Sequence, residues 1–236
     1  MNRSAYLHCA LAAVAVLLLA SAPPAPVRAE TDGSAGISST AQSVDAPPDW
    51  PLTEQQLARL ARGEVLVDAN VVSDRAMGDV LAAVQIDAPP EQVFRTLTDC
   101  SQALEFVPHL EHCAVLETAP DGSWQDVEQT VNYGWYMPRA YYVFRADYEP
   151  FRRIHLSNLR GDFRENHGVW EFRPVNGGAA TIVTYRLRLV PRFYVPRWVM
   201  RSTLRRDLPE MLRGLRMHSQ NASGPGSVSG ALAPNP

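Results

Sequence analysis

Three small groups of reactive side chains stand out in the chain. His109 and His112 are three residues apart with Cys113 beside them, and two imidazoles and a thiol can serve one metal ion. No further ligand follows at a diagnostic interval, and the pair falls where a helix should hand over to a strand. Solvated side chains explain it as well, and no metal is assigned. Asp162, Glu165 and His167 lie close together after Gly161 and could act as an acid–base group. A polar loop accounts for them equally well, so no catalytic residue is assigned and no cofactor is expected. The third group is Cys100 and Cys113, which flank a short predicted helix and can either form a bridge or stand as two thiols.

Composition removes several chemistries outright. All 22 basic residues are Arg, so a Lys Schiff base, a P-loop Lys and a kinase-type Lys are excluded. There is no Gly-x-Ser-x-Gly elbow and no dinucleotide fingerprint. A net charge of −3 with a pI near 6.1 argues against nucleic acid as a partner held through bulk charge.

The aromatic residues say more. Of 5 Trp, 8 Tyr and 7 Phe, 16 fall between Trp124 and Trp198. Tyr133, Trp135, Tyr142, Phe144, Trp170 and Tyr185 are expected to face one interior, together with Phe106 and Leu156. Core packing explains any one of them, but collectively they suit the wall of an apolar ligand cavity.

The elements that must position these residues follow from periodicity. Thr53 and Gln56 have capping-box spacing before a short helix stopped by Gly63. Glu64–Val72 and Gly78–Asp87 alternate apolar and polar as strands do. Pro89 and Pro90 open a helix carrying Val93, Phe94 and Leu97, and a second short helix carries Leu104, Phe106 and Val107. From Cys113 to Pro191 the period is two, broken by turn signals of which Asn176-Gly177-Gly178 is the strongest. Residues 196–217 return to helical spacing, with Met200, Leu204, Leu208, Met211 and Leu215 in one stripe. Pro209 should kink this helix without ending it.

An antiparallel sheet that buries one face needs a cover, and this last helix is the candidate. The expected class is α+β: a curved antiparallel sheet wrapped around a long C-terminal helix, with two short helices after the first strands. On the helical wheel Arg201 falls between Leu208 and Leu212, inside the apolar sector. It is either a snorkelling Arg, or one salt-bridged to a sheet carboxylate, or a charged handle for a polar or anionic head group at the cavity mouth. The 192–218 segment is rich in Arg, which suits either transient contact with a membrane surface or a helix simply packed on its own sheet.

The termini read differently. Arg3 precedes an apolar run from Ala10 to Ala20, about 16 Å as helix and too short for a hydrocarbon core of about 30 Å. This describes a signal peptide over residues 1–29, cleaved after Ala29, and hence an exported, periplasmic or secreted protein. Residues 30–49 and 219–236 have the composition of a disordered leader and tail, leaving one ligand-binding domain over 50–218.

The segment Leu97-Thr98-Asp99, Phe106-Val107-Pro108 and Val115-Leu116-Glu117 resembles the coenzyme Q-binding, polyketide cyclase/dehydrase-like family of the START-related SRPBCC superfamily. Gly161-Asp162-Phe163-Arg164 and Gly168-Val169-Trp170-Glu171-Phe172-Arg173-Pro174 are similar to its sheet hairpin, and Arg205-Arg206-Asp207-Leu208 to its closing helix. The resemblance covers about residues 64–217 and implies the helix-grip fold. It also implies a hydrophobic small-molecule ligand, a lipid, isoprenoid or quinone-like compound. The expected ligand-binding set is Phe106, Tyr133, Trp135, Tyr142, Phe144, Leu156, Trp170, Tyr185, Met200, Arg201 and Leu204. The alternatives are a cyclase/dehydrase-type enzyme using the same cavity, and an envelope interaction module whose cavity is filled by its own side chains.

Overall fold

The computed structural model describes residues 51–72, 77–135 and 137–222. The signal-peptide and leader expectations, and the tail from 223 onward, lie outside the described residues.

Helix α1 (Glu54–Ala61) starts at the predicted box: Thr53 Oγ1 accepts from Gln56 N–H while Gln56 Oε1 accepts from Thr53 N–H. Gly63, at φ 84°, then turns the chain into β1 (Val65–Val72), which pairs with β2 (Met77–Ile86). Two short helices follow, α2 (Pro90–Thr98) and α3 (Cys100–Phe106), the second capped by the Asp99 carboxylate on Ser101 N–H. Five meandering strands come next: β3 (Leu110–Thr118), β4 (Trp124–Val131), β5 (Ala140–Glu149), β6 (Arg153–Gly161) and β7 (Phe163–Val175). The Asn176–Gly178 turn leads to β8 (Ala180–Pro191), and α4 (Arg197–Asn221) closes the chain.

All eight strands form one antiparallel sheet in the order β1-β2-β8-β7-β6-β5-β4-β3. The sheet is curved and does not close, since β1 and β3 remain its edges. The expected α+β helix-grip class is therefore the observed one.

The core lies between the inner face of this sheet and the helices. Val80, Ala82, Val84 and Ile86 of β2 are fully buried, as are Leu212 and Leu215 of α4. Phe94 pins α2 to the sheet edge-on against Tyr148, Phe151 and Phe172, with ring centroids 5.5, 5.5 and 5.6 Å away. Phe106 seats α3 on α4: a Cβ placed on Gly214 would lie 2.6 Å from Phe106 Cβ, so only glycine permits this approach.

Helix α4 runs through Pro209, which removes one backbone donor without ending the helix. It also runs further than its periodicity suggested. Residues 219–221, expected in the tail, are helical, because Ser219 is fully buried and Gln220 donates to Asp87 Oδ2 at 3.4 Å. Arg216 anchors the same turn by donating to the carbonyls of Gln85 and Gly63, both at 3.0 Å.

Candidate functional site

A cavity of 230 Å³ lies between the sheet, α2–α3 and the N-terminal half of α4. The period of two on β5 turns Tyr142, Phe144, Ala146 and Tyr148 inward, and β6 adds Ile154 and Leu156. β7 and β8 supply Trp170, Tyr185, Leu187 and Leu189. Helix α4 closes the space with Thr203, Leu204, Asp207, Leu208 and Met211, while Leu97 and Ala103 face it from the short helices.

Trp170 and Tyr185 are direct register partners on β7 and β8, and their rings stack with centroids 3.8 Å apart and planes 12° from parallel. Tyr142 donates its hydroxyl to Gln129 Oε1 at 2.8 Å, and Tyr148 donates to Gln125 Oε1 at 2.8 Å. Burial pushes the Tyr142 phenol far above its ordinary range, helped by the neighbouring Tyr133 and Tyr185, and burial alone does the same to Tyr185. Tyr148 is pushed up to about 12, first by burial and then by the Asp147 charge. These phenols are neutral at any working pH and act as hydrogen-bonding groups, not as bases.

Cys100 and Cys113 are joined in a disulfide, with Cα atoms 5.3 Å apart. Both line the cavity, so the bridge ties α3 to β3 as part of its wall. Gln129 Nε2 donates to Cys113 Sγ at 3.6 Å.

Of the expected ligand-binding residues, Tyr133, Tyr142, Phe144, Leu156, Trp170, Tyr185 and Leu204 line this space. Phe106 and Met200 are buried in the core but do not reach the cavity wall, Phe106 because it fills the seam between α3 and α4. Trp135 is a correction: it is 97% exposed. Strand β4 ends at Val131, Asn132 N–H bonds to His109 O, and Gly134 at φ 89° turns the chain before the alternation can reach Trp135.

Arg201 is the second correction. It is exposed and lies with Arg197, Trp198, Ser202, Arg205 and Arg206 along a shallow depression on the outer side of α4. At this end of the helix the buried arc is Val199, Met200, Thr203 and Leu204, and Arg201 stands about 100° from Met200. Its alignment with Leu208 and Leu212 describes the C-terminal half, which packs on a different arc.

Asp207 is the residue that sequence reasoning missed. At 100° per residue it stands within about 20° of Met200, on the arc that faces the sheet, and that phase was the available signal. Among the described residues on the cavity wall it is the only charged one. Arg206 Nε donates to its Oδ1 at 2.7 Å. Gln129 and Asn166 were also missed, although each keeps the inward phase of its strand, between Val127 and Val131 and opposite the outward Glu165 and His167.

The other reactive groups disperse. His109 meets Asp207 and Arg206, whereas His112 pairs with Glu128 at 3.2 Å. Asp162 Oδ2 accepts from Tyr141 N–H at 2.8 Å, and Glu165 and His167 lie within strand β7 rather than in a loop.

Residues 86–216, more than half of the chain, match the model of the polyketide cyclase/dehydrase and lipid transport family, and the chain belongs to that family. Its fold is that of the START/SRPBCC proteins. A STAR-related lipid transfer protein from Xanthomonas axonopodis superposes with a TM-score of 0.56 at 18% identity, over 66% of this chain and 93% of that one. The Zhui aromatase/cyclase from a Streptomyces species gives 0.54 at 17%, over 64% and 98%. A START superfamily protein from Mycobacterium smegmatis gives 0.51 at 16%, over 61% and 99%. Likeness at these identities establishes the shared fold. No curated protein matches the chain.

Proposed function

We propose that this protein binds and carries a hydrophobic small molecule, of lipid or isoprenoid type, in the cavity between its sheet and α4. The observation that carries this reading is the wall itself: aromatic and aliphatic side chains from five strands and three helices, with Asp207 the only charge among the described lining residues. Such a wall rewards apolar burial, at about 25 cal/mol per Å² removed from water. A volume of 230 Å³ lies just under the roughly 300–1,000 Å³ of typical ligand pockets, which suits one chain or ring system better than a two-chain lipid.

Two features of the surroundings support carriage between compartments or surfaces. The exposed Arg201 and Arg205, with Trp198 at 75% exposure, suit brief contact with an anionic lipid surface while a ligand is exchanged. The Cys100–Cys113 bridge supports a working place outside the cytoplasm, where disulfides persist, in keeping with the signal-like N-terminal segment.

Extraction of apolar compounds from protein purified out of its native host, followed by mass spectrometry, tests the reading. One compound class enriched at near one molecule per chain is the expected result; a chain that retains none and takes up no apolar probe refutes it.

A further inference from the structure

One polar side chain of the cavity wall is buried and yet open. Asn166 of β7 is 7% exposed and lines the cavity, on the inward phase of its strand. No described residue hydrogen-bonds to its side-chain amide. Tyr142, elsewhere on the wall, donates to Gln129 Oε1 at 2.8 Å, and Asp207 is held by Arg206 and faces His109. Asp207 Oδ2 is also sealed from solvent, whereas neither the oxygen nor the nitrogen of the Asn166 amide is closed off. The amide therefore presents both a donor and an acceptor to the cavity.

Strand register places this amide. Asn166 is the partner of Leu189 on β8, and Leu189 that of Gly78 on β2. Helix α4 rests on the same rung, since a Cβ on Gly78 would lie 3.1 Å from Leu204 Cδ1. Thr203, next to Leu204, lines the cavity from the helix side. Trp170, which stacks on Tyr185, is four residues further along β7, about 13 Å away. The floor is thus aromatic at one end of this stretch of β7 and amide at the other.

We infer that Asn166 is a polar subsite of the cavity and takes an uncharged oxygen, of a ketone or an alcohol, on an otherwise apolar ligand. This rests on the cavity being a ligand site. A ligand that displaces water from the amide must replace its bonds, or a buried polar group is left unmet. A ketone oxygen accepts from Nδ2, and an alcohol can also donate to Oδ1. A hydrocarbon does neither. A carboxylate could accept from Nδ2, but no Arg or His is among the described lining residues, and the Asp207 charge stands on the same wall.

Asn166→Leu keeps the branching of the side chain and removes the amide. The purified full-length chain and this variant, checked for folding by thermal melting, are titrated with 1-dodecanol, 2-dodecanone and 1-dodecene. Each affinity in the variant is divided by that in the natural chain, which cancels differences in solubility. Alcohol and ketone should each lose at least about threefold relative to the alkene, the worth of one neutral hydrogen bond. A smaller difference, including an equal loss of all three, overturns the inference and leaves the ligand cavity intact. Dodecanoate should bind the natural chain more weakly than the alcohol; equal or tighter binding overturns the preference for an uncharged group. Asn166→Ala takes the place of the leucine variant if that does not fold. The infrared carbonyl band of 2-dodecanone bound to the natural chain should lie at lower frequency than in hexane and return toward that value in the variant; an unshifted band in the natural chain overturns the inference. No binding of any compound refutes the cavity reading itself.

Discussion

Trp170 and Tyr185 lie face to face across the β7–β8 ladder, 3.8 Å between centroids, and together form a flat aromatic floor under the cavity. The pairing is direct, so each ring covers the other's face. Trp170→Ala removes a buried aromatic and half of this floor. It should cost about 3–5 kcal/mol of stability and weaken neutral apolar ligands at least tenfold. Tyr185→Phe keeps the stack and should change both within narrow limits. Thermal melting together with dodecanol titration of the two variants checks this.

Arg201 sits on the outside of α4, away from the cavity wall. Arg201→Ala should therefore leave the affinity for dodecanol and for dodecanoate unchanged within twofold, and surface substitutions of this kind move stability by no more than about 0.5 kcal/mol. A selective loss of dodecanoate binding would return the residue to the head-group role that its wheel position suggested.

The Cys100–Cys113 bridge closes a short loop around α3 and also forms part of the cavity wall. Reduction, or the double change Cys100→Ala and Cys113→Ala, should lower stability by about 3 kcal/mol. It should also weaken ligand binding, because α3 loses its tie to β3. Melting under oxidising and reducing conditions gives the first effect, and titration of the double variant gives the second.

The buried phenols set an alkaline limit. Tyr142 and Tyr185 hold their protons more tightly folded than unfolded, and Tyr148 does so up to about 12. Above about pH 10 the unfolded chain loses these protons first and the folded chain keeps them. The stability they contribute is complete below that pH and is lost as the pH rises further, with a slope of about 1.4 kcal/mol per pH unit for each phenol. Melting temperatures between pH 9 and 11.5 should fall in this way, and less steeply in Tyr185→Phe.

Most of the fold was legible in the sequence because its signals are local. The capping box at Thr53, the prolines opening α2, the period of two through β5 to β8 and the Asn176 turn each act within a few residues. Cavity residues were legible wherever a strand kept its alternation, as at Tyr142, Phe144, Trp170 and Tyr185. The failures were long-range. Trp135 lies past the end of β4, which stops at Val131 where both its partners stop, β3 at Leu110 and β5 at Ala140. Arg201 stands outside and Asp207 on the cavity wall because the two halves of α4 bury different arcs, one on the cavity and one on the seam with α3. A single wheel averages the two arcs and misplaces Arg201.

The central claim is that the space under α4 holds a ligand, and filling it tests this most directly. Ala146 is buried, lines the cavity and stands opposite Leu156 in register, so Ala146→Phe places a ring in open volume. Isothermal titration with 1-dodecanol should show one site in the natural chain and at least a tenfold loss in Ala146→Phe, with the melting temperature retained. Undiminished binding in the folded, filled variant, or no binding to the natural chain, would contradict the account.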